Sequence, residues 1–240
     1  MTMVKQFAAL AVLSLGITVN PAFAQSAFSG FYGQISTGYE HNSAESFGMV
    51  GTNNGGSPRS TTDPSFSSDS MPLVIGLGYT FQMPDRFTLG IGFDYSALSQ
   101  DTNIAGVSQP GIVNAPVFDY HLTVSNRLNV FLSPGYAIDD NKLAYLKLGY
   151  SNQQLQYTQN NCCSAPSNKA NVDGYLVGLG YKQMISAGSY NGLYGFVEAS
   201  YQAYSKADLY ATYTDGVGGK TTATPTSSAY NFLLGVGYKF

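Results

Sequence analysis

The sequence predicts an all-β protein, an eight-stranded antiparallel up-and-down transmembrane β-barrel. The first observation is a motif in which apolar residues alternate with small or polar ones, the period of a strand; it occurs at 75–81, 132–138, 177–183 and 234–240. The second is that the face opposite the large residues carries mainly glycine, threonine and lysine, so we expect the large residues to meet lipid. The third is the spacing of connections: short turns near 84, 140 and 188 alternate with long polar segments near 55, 108, 165 and 217.

The composition supports this class. The 240 residues are 44% hydrophobic and 10% charged, yet the mean hydropathy is only -0.06. Alternating strands explain this value, because half of each strand is polar. After the N-terminal segment no apolar run approaches the ~18 residues that suggest a membrane helix. The formal net charge of -3 argues against a nucleic-acid partner, which calls for a basic patch.

The first 24 residues have the pattern of a secretory signal. Lys5 provides a positive charge, residues 7–19 are mostly apolar, and Ala22-Phe-Ala24 fits a cleavage site. We expect residues 1–24 to be a cleaved signal peptide and 25–240 to be an outer-membrane barrel domain. A first membrane helix is less consistent with the sequence, because the apolar stretch is short and ends at Asn20-Pro21.

Alternation predicts eight strands, at 30–40, 72–82, 87–98, 118–138, 142–157, 172–183, 193–204 and 229–240. The fourth is expected to keep one outward parity from Phe118 through Tyr120, Leu122 and Val124 to Ile138. Four long loops, at 41–70, 99–116, 158–171 and 205–228, are expected to be extracellular, with the short turns in the periplasm. The first loop is too polar to be expected to bury a core of its own.

Tyrosines recur at matching positions of the repeated motif. On the strands that follow a long loop, the parity predicts the periplasmic half of an aromatic girdle, formed by Tyr79, Tyr136, Tyr181 and Tyr238. On the strands that lead into a long loop, Tyr39, Tyr95 and Tyr150 lie toward the loop and are expected to help form the outer half.

One stretch resembles a known family. Pro134-Gly-Tyr136, a short acidic turn, Lys142-Leu-Ala-Tyr145 and Leu148-Gly-Tyr-Ser151 are similar to the opacity-protein-like family of small outer-membrane β-barrels of Gram-negative bacteria, which share the fold of the OmpA membrane domain. The resemblance extends over residues 25–240 and is most specific in 132–151. It implies an outer-membrane location and a last strand, with Tyr238 and Phe240, that the barrel-assembly machinery reads. It implies no single shared activity.

Charged residues collect on the inward parity. They are Asp94, Asp119, His121, Lys147, Lys182, Glu198 and Lys239. Lys147 and Glu198 are expected at similar heights and Asp94 slightly higher, so that the three form a polar cluster in the lumen. Because side chains just fill an eight-stranded barrel and buried charges must be paired, the favoured interpretation is a polar plug. The alternative is a narrow path for ions or solutes, suggested by inward glycines that would leave the periplasmic side roomy: Gly76, Gly78, Gly90, Gly92, Gly178, Gly180, Gly235 and Gly237.

Residues suited to catalysis or metal binding are few. Lipid hydrolysis needs a nucleophile with a base, but His121 is the one strand histidine, with inward parity, and His41 lies in a loop. Cys162 and Cys163 are adjacent. Their Cα separation of ~3.8 Å is below the usual disulfide span of ~4.4 Å or more, so a strained bridge, an intermolecular link and no role all stay open. No spacing suggests a metal site.

These observations predict a monomeric, non-enzymatic outer-membrane barrel without cofactor or metal. Its expected role is structural, in envelope integrity or adhesion through the loops, because a rigid frame presents them. The expected partners are outer-membrane lipid, lipopolysaccharide and, during biogenesis, the barrel-assembly machinery, with no nucleic acid. The alternative is a small porin that passes ions or small solutes through the lumen.

Overall fold

The computed structural model describes residues 27–45, 50–53, 59–60, 65–107, 118–159, 168–185, 192–213 and 219–240. The predicted signal segment 1–24 and both cysteines lie outside these residues. Within them a 3₁₀ turn covers Pro84–Arg86, and no helix is long and apolar enough to cross a membrane. The strands, in chain order, are β1 Gly30–Glu45, β2 Val50–Asn53, β3 Arg59–Ser60, β4 Phe66–Ser70, β5 Leu73–Gln82, β6 Phe87–Ser96, β7 Gln100–Asp101, β8 Ala105–Val107, β9 Phe118–Asp139, β10 Lys142–Gln159, β11 Lys169–Met184, β12 Leu193–Tyr204, β13 Leu209–Tyr213, β14 Gly219–Ala223 and β15 Thr226–Lys239.

Eight strands form a closed antiparallel ring. Each pairs with the next in the order β1, β5, β6, β9, β10, β11, β12 and β15, and β15 pairs back with β1. Closure satisfies the backbone groups that an open sheet edge would expose, which lipid requires. The predicted eight-stranded up-and-down barrel is confirmed. Its two ends differ, and we call them the turn end, with short connections, and the loop end.

The two faces of the wall differ in chemistry. On β6 the exposed residues include Phe87, Ile91 and Phe93, whereas Thr88 and Asp94 are buried. The outer surface is therefore apolar and the inner surface polar, the reverse of a soluble barrel and typical of a strand between lipid and a lumen. The side assignment predicted from alternation is confirmed for this strand.

The loop half of β9 does not follow the predicted parity. Asn126 has φ of 52°, and the register with β10 shifts between Asn152 and Gln154, so a β-bulge inserts one residue here. Below the bulge Leu128 is exposed, whereas above it Leu122 and Val124 are buried.

One extra residue moves every later side chain to the opposite face. The prediction of a single outward parity through Tyr120, Leu122 and Val124 was therefore wrong. The same shift places Asp119 and His121 on the outward parity, where both are half-buried, and not in the lumen as predicted.

The loop end is folded beyond the barrel ring. β4 pairs with β1 above β5, and β13, β14, β2 and β3 form a second sheet from the first and fourth loops. Below this sheet lies a buried group that we call the cap cluster: Ala44, Phe66, Tyr120, Leu122, Val124, Leu155, Tyr157, Val172, Tyr204, Ala207, Leu209 and Ala223. The first loop, which was not expected to bury a core of its own, contributes Ala44 and Phe66 to this shared cluster. Phe66 is 1% exposed, because it packs with apolar residues of other segments.

Candidate functional site in the barrel lumen

The centre of the lumen contains an ion network around Lys147. Its ammonium contacts Asp94 Oδ2 and lies 2.6 Å from Glu198 Oε1, and the Tyr145 hydroxyl donates to Glu198 Oε2 at 3.0 Å. The three ionic side chains come from β10, β6 and β12, on the inward parity of each. Lys147 also lies 4.4 Å from the ring centroid of Phe131. The structure thus brings together Asp94, Lys147 and Glu198, the three residues predicted to form the polar cluster.

A second ion network surrounds Arg127, nearer the loop end. Its Nη1 lies 2.6 Å from Glu40 Oε2, its Nη2 donates to Asn42 Oδ1 at 2.6 Å, and its Nε donates to Gln153 Oε1 at 3.0 Å. Asn42 in turn donates to Gln100 Oε1 at 2.5 Å. Sequence reasoning missed this network. Arg127 and Glu40 have inward parity in the predicted strands, so the signal was present, but Asn42 lies in a segment assigned to a loop.

The charges buried in the lumen are balanced. Among the residues that the structure describes, the buried ionic side chains are Glu40, Asp94, Glu198, Arg127, Lys147 and Lys182, three acidic and three basic. Buried ions are tolerated when each is compensated nearby. Lys239, which was also predicted to point inward, is half-buried near the turn end.

Aromatic rings fill the turn end of the lumen. A Cβ atom at Gly78 would lie 2.5 Å from the Tyr32 hydroxyl, one at Gly180 2.2 Å from Tyr145 Cζ, and one at Gly237 2.3 Å from Tyr194 Cζ. These glycines therefore make room for tyrosine rings from other strands. The expectation of a roomy turn end was wrong, because parity shows which residues point inward but not which rings enter the space beside them.

The space that remains between the two ion networks is small. A cavity of about 10 Å³ lies there, lined by residues that include Asp94, Arg127 and Lys147, and this is about the volume that one water molecule needs. Asp94, Asn129 and Asn231 also line it, and each has a buried side-chain oxygen without a hydrogen-bond partner in the described part of the chain. One water molecule bound there could donate to two of these three oxygens, so little space remains between the two ion networks of the described residues.

Tyrosines lie on the outer surface near both ends. Tyr79, Tyr136, Tyr181 and Tyr238 have outward parity; Tyr136 and Tyr238 are exposed, and Tyr79 and Tyr181 are half-buried. At the other end Tyr39 donates to Asp69 Oδ1 at 2.5 Å, Tyr95 donates to Asn126 Oδ1 at 3.1 Å, and Tyr150 donates to Asp173 Oδ1. A phenol at such a position keeps its ring in lipid and its hydroxyl in polar surroundings.

The Asp69 carboxylate has a second donor. His41 Nδ1 lies 2.7 Å from its Oδ1, and the hydrogen bonds from Tyr39 and then His41 lower the pKa of Asp69. This shift stabilises the folded protein above the ordinary pKa of an aspartate, and the contribution is lost as pH falls through the lowered pKa.

No group of three or more potential metal ligands occurs among the described residues.

The last residue completes the outer face of β15. Phe240 is 75% exposed, its backbone N–H donates to the Phe31 carbonyl at 2.9 Å, and its ring centroid lies 5.3 Å from that of Tyr238. Tyr238 and Phe240 thus form a continuous aromatic strip at the turn end.

Comparison with known proteins supports the fold. No protein-family model matches the sequence, and no curated protein matches it. Solved structures do, in 54 chains. The outer membrane protein OprG of Pseudomonas aeruginosa has 15% identity and a TM-score of 0.53, over 90% of this chain and 98% of that one. The outer membrane protease OmpT of Escherichia coli has 8% identity and a TM-score of 0.54, over 91% and 99%.

At these identities the likeness concerns the fold and not the activity. The closed ring, apolar outer wall and polar lumen define the class, a small β-barrel of the outer membrane. Its eight-stranded architecture agrees with the opacity-protein-like and OmpA-like barrels that the sequence resembles.

Proposed function

We propose that this protein is a non-enzymatic outer-membrane barrel that does not conduct through its lumen and that acts at the cell surface, in envelope integrity or adhesion. The observation that carries the proposal is the filling of the lumen at successive levels. One inward residue of β10 lies at each level. In order from the turn end they are Tyr145 beside Lys182, Lys147 in the central network, Gln153 in the Arg127 network and Tyr157 in the cap cluster.

The proposed orientation places the loop end outside the cell and the turn end in the periplasm. Outer-membrane barrels have this asymmetry of connections. In this orientation residues 1–24 serve as the signal peptide, and the tyrosines at the two ends lie at the two lipid interfaces. The partners are then outer-membrane lipid and lipopolysaccharide, with Tyr238 and Phe240 read by the barrel-assembly machinery and the protein functioning as a monomer.

The loop end is suited to display a surface with a fixed shape. The sheet of β13, β14, β2 and β3 is joined to the barrel by the cap cluster, to which β13 contributes Leu209 and β14 contributes Ala223. On its exposed side the Lys220 ammonium lies 4.3 Å from the ring centroid of Tyr210. A preorganised surface loses less conformational freedom when a partner binds, which supports a role in contact with surfaces or other cells.

Planar-bilayer conductance tests the closed lumen. We expect the wild-type protein to give no stable single-channel steps, because the cavity between the two ion networks has room for about one water molecule. The alternative, a small porin, predicts stable steps that Lys147→Met and Glu198→Gln abolish or change. The exposed Asp101→Asn serves as the control, since it alters a carboxylate outside the lumen. Such steps would overturn the closed lumen.

Shortening the fourth loop tests the surface role. Residues 210–222 are replaced by a short Gly-Ser turn, which retains Leu209 and Ala223 and with them the cap cluster. We expect reduced adhesion or envelope resistance in cells, with unchanged heat-modifiable migration of the folded barrel on gels. The matched control replaces residues 139–141 at the turn end and should leave both measurements unchanged. Equal adhesion and resistance in the shortened variant and the wild type would contradict the surface role.

A further inference from the structure

Lys182 differs from the other cations buried in the lumen. Lys147 and Arg127 each contact a carboxylate, whereas Lys182 has none within 4.0 Å in the described part of the chain. It is 7% exposed, and its ammonium lies 4.1 Å from the ring centroid of Tyr32, 5.0 Å from that of Tyr194 and 5.2 Å from that of Tyr145. Three tyrosine rings from β1, β12 and β10 therefore surround one buried ammonium group.

The rings are held in place by contacts other than the lysine. The Tyr145 hydroxyl donates to Glu198 at 3.0 Å, and the Tyr194 hydroxyl donates to Gln34 Oε1 at 3.1 Å. Gly78 and Gly92 admit the Tyr32 ring, whose hydroxyl lies 2.5 and 2.7 Å from Cβ positions built on them. Because hydroxyl partners and glycine spaces fix the rings, the arrangement does not require the Lys182 side chain to persist.

A cation within about 6 Å of several tyrosine faces is the arrangement by which proteins recognise quaternary ammonium groups. We propose that Tyr32, Tyr145 and Tyr194 form a binding site for a small organic ammonium ion, and that Lys182 is its tethered occupant. A group tethered beside its site acts at high effective concentration. In the native protein Lys182 thus excludes free cations and seals the turn end. This inference concerns the lumen and is independent of the surface role of the loops.

Removing the lysine side chain should expose the site. Lys182→Ala vacates the space between the rings and leaves the lumen with three acidic and two basic buried groups, from the set of six in the native protein. Both changes favour entry of a cation. Tetramethylammonium is the probe, because it has the charge and size of the group removed and donates no hydrogen bond, which isolates the contribution of the rings.

The experiment measures tetramethylammonium binding to the detergent-solubilised barrel by isothermal titration calorimetry. We expect saturable binding to Lys182→Ala and binding about a hundredfold weaker or absent in the wild type, because the tether competes. Lys182→Met, which fills the space without charge, should not bind tetramethylammonium. The double variant Lys182→Ala with Tyr32→Leu should bind it more weakly than Lys182→Ala alone. Equal binding to wild type and Lys182→Ala, binding insensitive to Tyr32→Leu, or no binding to folded Lys182→Ala would overturn the proposal.

If Lys182→Ala does not fold alone, refolding with the probe gives a second test. Tetramethylammonium should then restore the heat-modifiable folded band, whereas tetrabutylammonium, which is too large for a space vacated by a lysine, should not. Failure of tetramethylammonium to restore folding would overturn the proposal equally.

Discussion

Glycine and tyrosine act as pairs across neighbouring strands of this barrel. Gly180 on β11 lies opposite Tyr145 on β10 in the register, and the tyrosine ring covers the glycine on the lumen side. The absent side chain at one position therefore creates the space for the large one at the other. This placement also lets the Tyr145 hydroxyl reach Glu198, so a packing detail contributes to the central ion network.

Gly180→Ala is expected to destabilise the barrel. Its Cβ would lie 2.2 Å from Tyr145 Cζ, so the ring must leave the position in which its hydroxyl donates to Glu198, and overpacking of this kind costs about 1–3 kcal/mol. The control is Gly195→Ala, whose Cβ would have its nearest contact at 3.6 Å, with Ile185 Cδ1. Urea unfolding in the same lipid, followed by tyrosine fluorescence, compares the two free energies. Equal values for Gly180→Ala and Gly195→Ala would show that the ring contact is unimportant.

At the scale of elements, the bulge in β9 separates a part of the strand that meets lipid from a part that builds the cap. Outward Leu128 and Leu132 lie below it, and inward Leu122 and Val124 lie above it. A strand of 22 residues is longer than the ~9–11 that a bilayer needs. Above the lipid, apolar residues are stabilised by facing inward, and the extra residue at Asn126 provides that reversal.

Asn126→Val is expected to destabilise the loop end selectively. A β-branched residue is disfavoured at the φ of 52° observed there, whereas Asn126→Gly, the matched control, accepts this backbone while losing the same hydrogen bond from Tyr95. Hydrogen exchange should show faster exchange in β4 and the loop half of β9 for the valine variant, with unchanged protection in β5. Uniform protection in both variants would contradict a local role for the bulge.

The predicted strands correspond closely to the observed ones because lipid and lumen act on opposite faces over the whole span. Leu193–Tyr204, for example, has the bounds that alternation predicted. Periodicity could not reveal the bulge at Asn126, because a bulge changes the backbone and not the order of the residues. Tyr120, Leu122 and Leu128 share one parity in the sequence, as they would in an uninterrupted strand. It also could not reveal the cap, because Phe66 is the one apolar residue of β4 and is buried by residues distant in sequence.

For the lumen between the turn end and the bulge of β9, parity showed which side chains point inward but not how they pair. Asp94, Lys147 and Glu198 lie on three different strands, and their convergence follows from the stagger of the closed ring. The Arg127 network depends on Asn42, which lies beyond the predicted end of the first strand. The Lys182 site depends on rings entering the space beside glycines, a contact between distant strands that no local pattern contains.

On the scale of the whole molecule, the filled lumen functions as a polar core enclosed by an apolar shell. The three acidic and three basic buried groups share a low-dielectric interior, where an uncompensated charge is costly. The stability of the barrel should therefore depend more on the balance of these charges than on the presence of any one of them. Variants that remove one charge and variants that remove an opposite pair separate these two contributions.

Lys147→Met leaves Asp94 and Glu198 buried without their shared cation, and breaking a buried ion pair in this way costs about 3–5 kcal/mol. The double variant Lys147→Met with Asp94→Asn restores equal numbers of acidic and basic groups, with Glu198 still accepting from Tyr145 and Lys182 still charged. We expect it to recover more than half of the loss. Urea unfolding of both variants in lipid vesicles measures the two free energies. A double variant as unstable as Lys147→Met would show that specific pairing, and not charge balance, holds the lumen together.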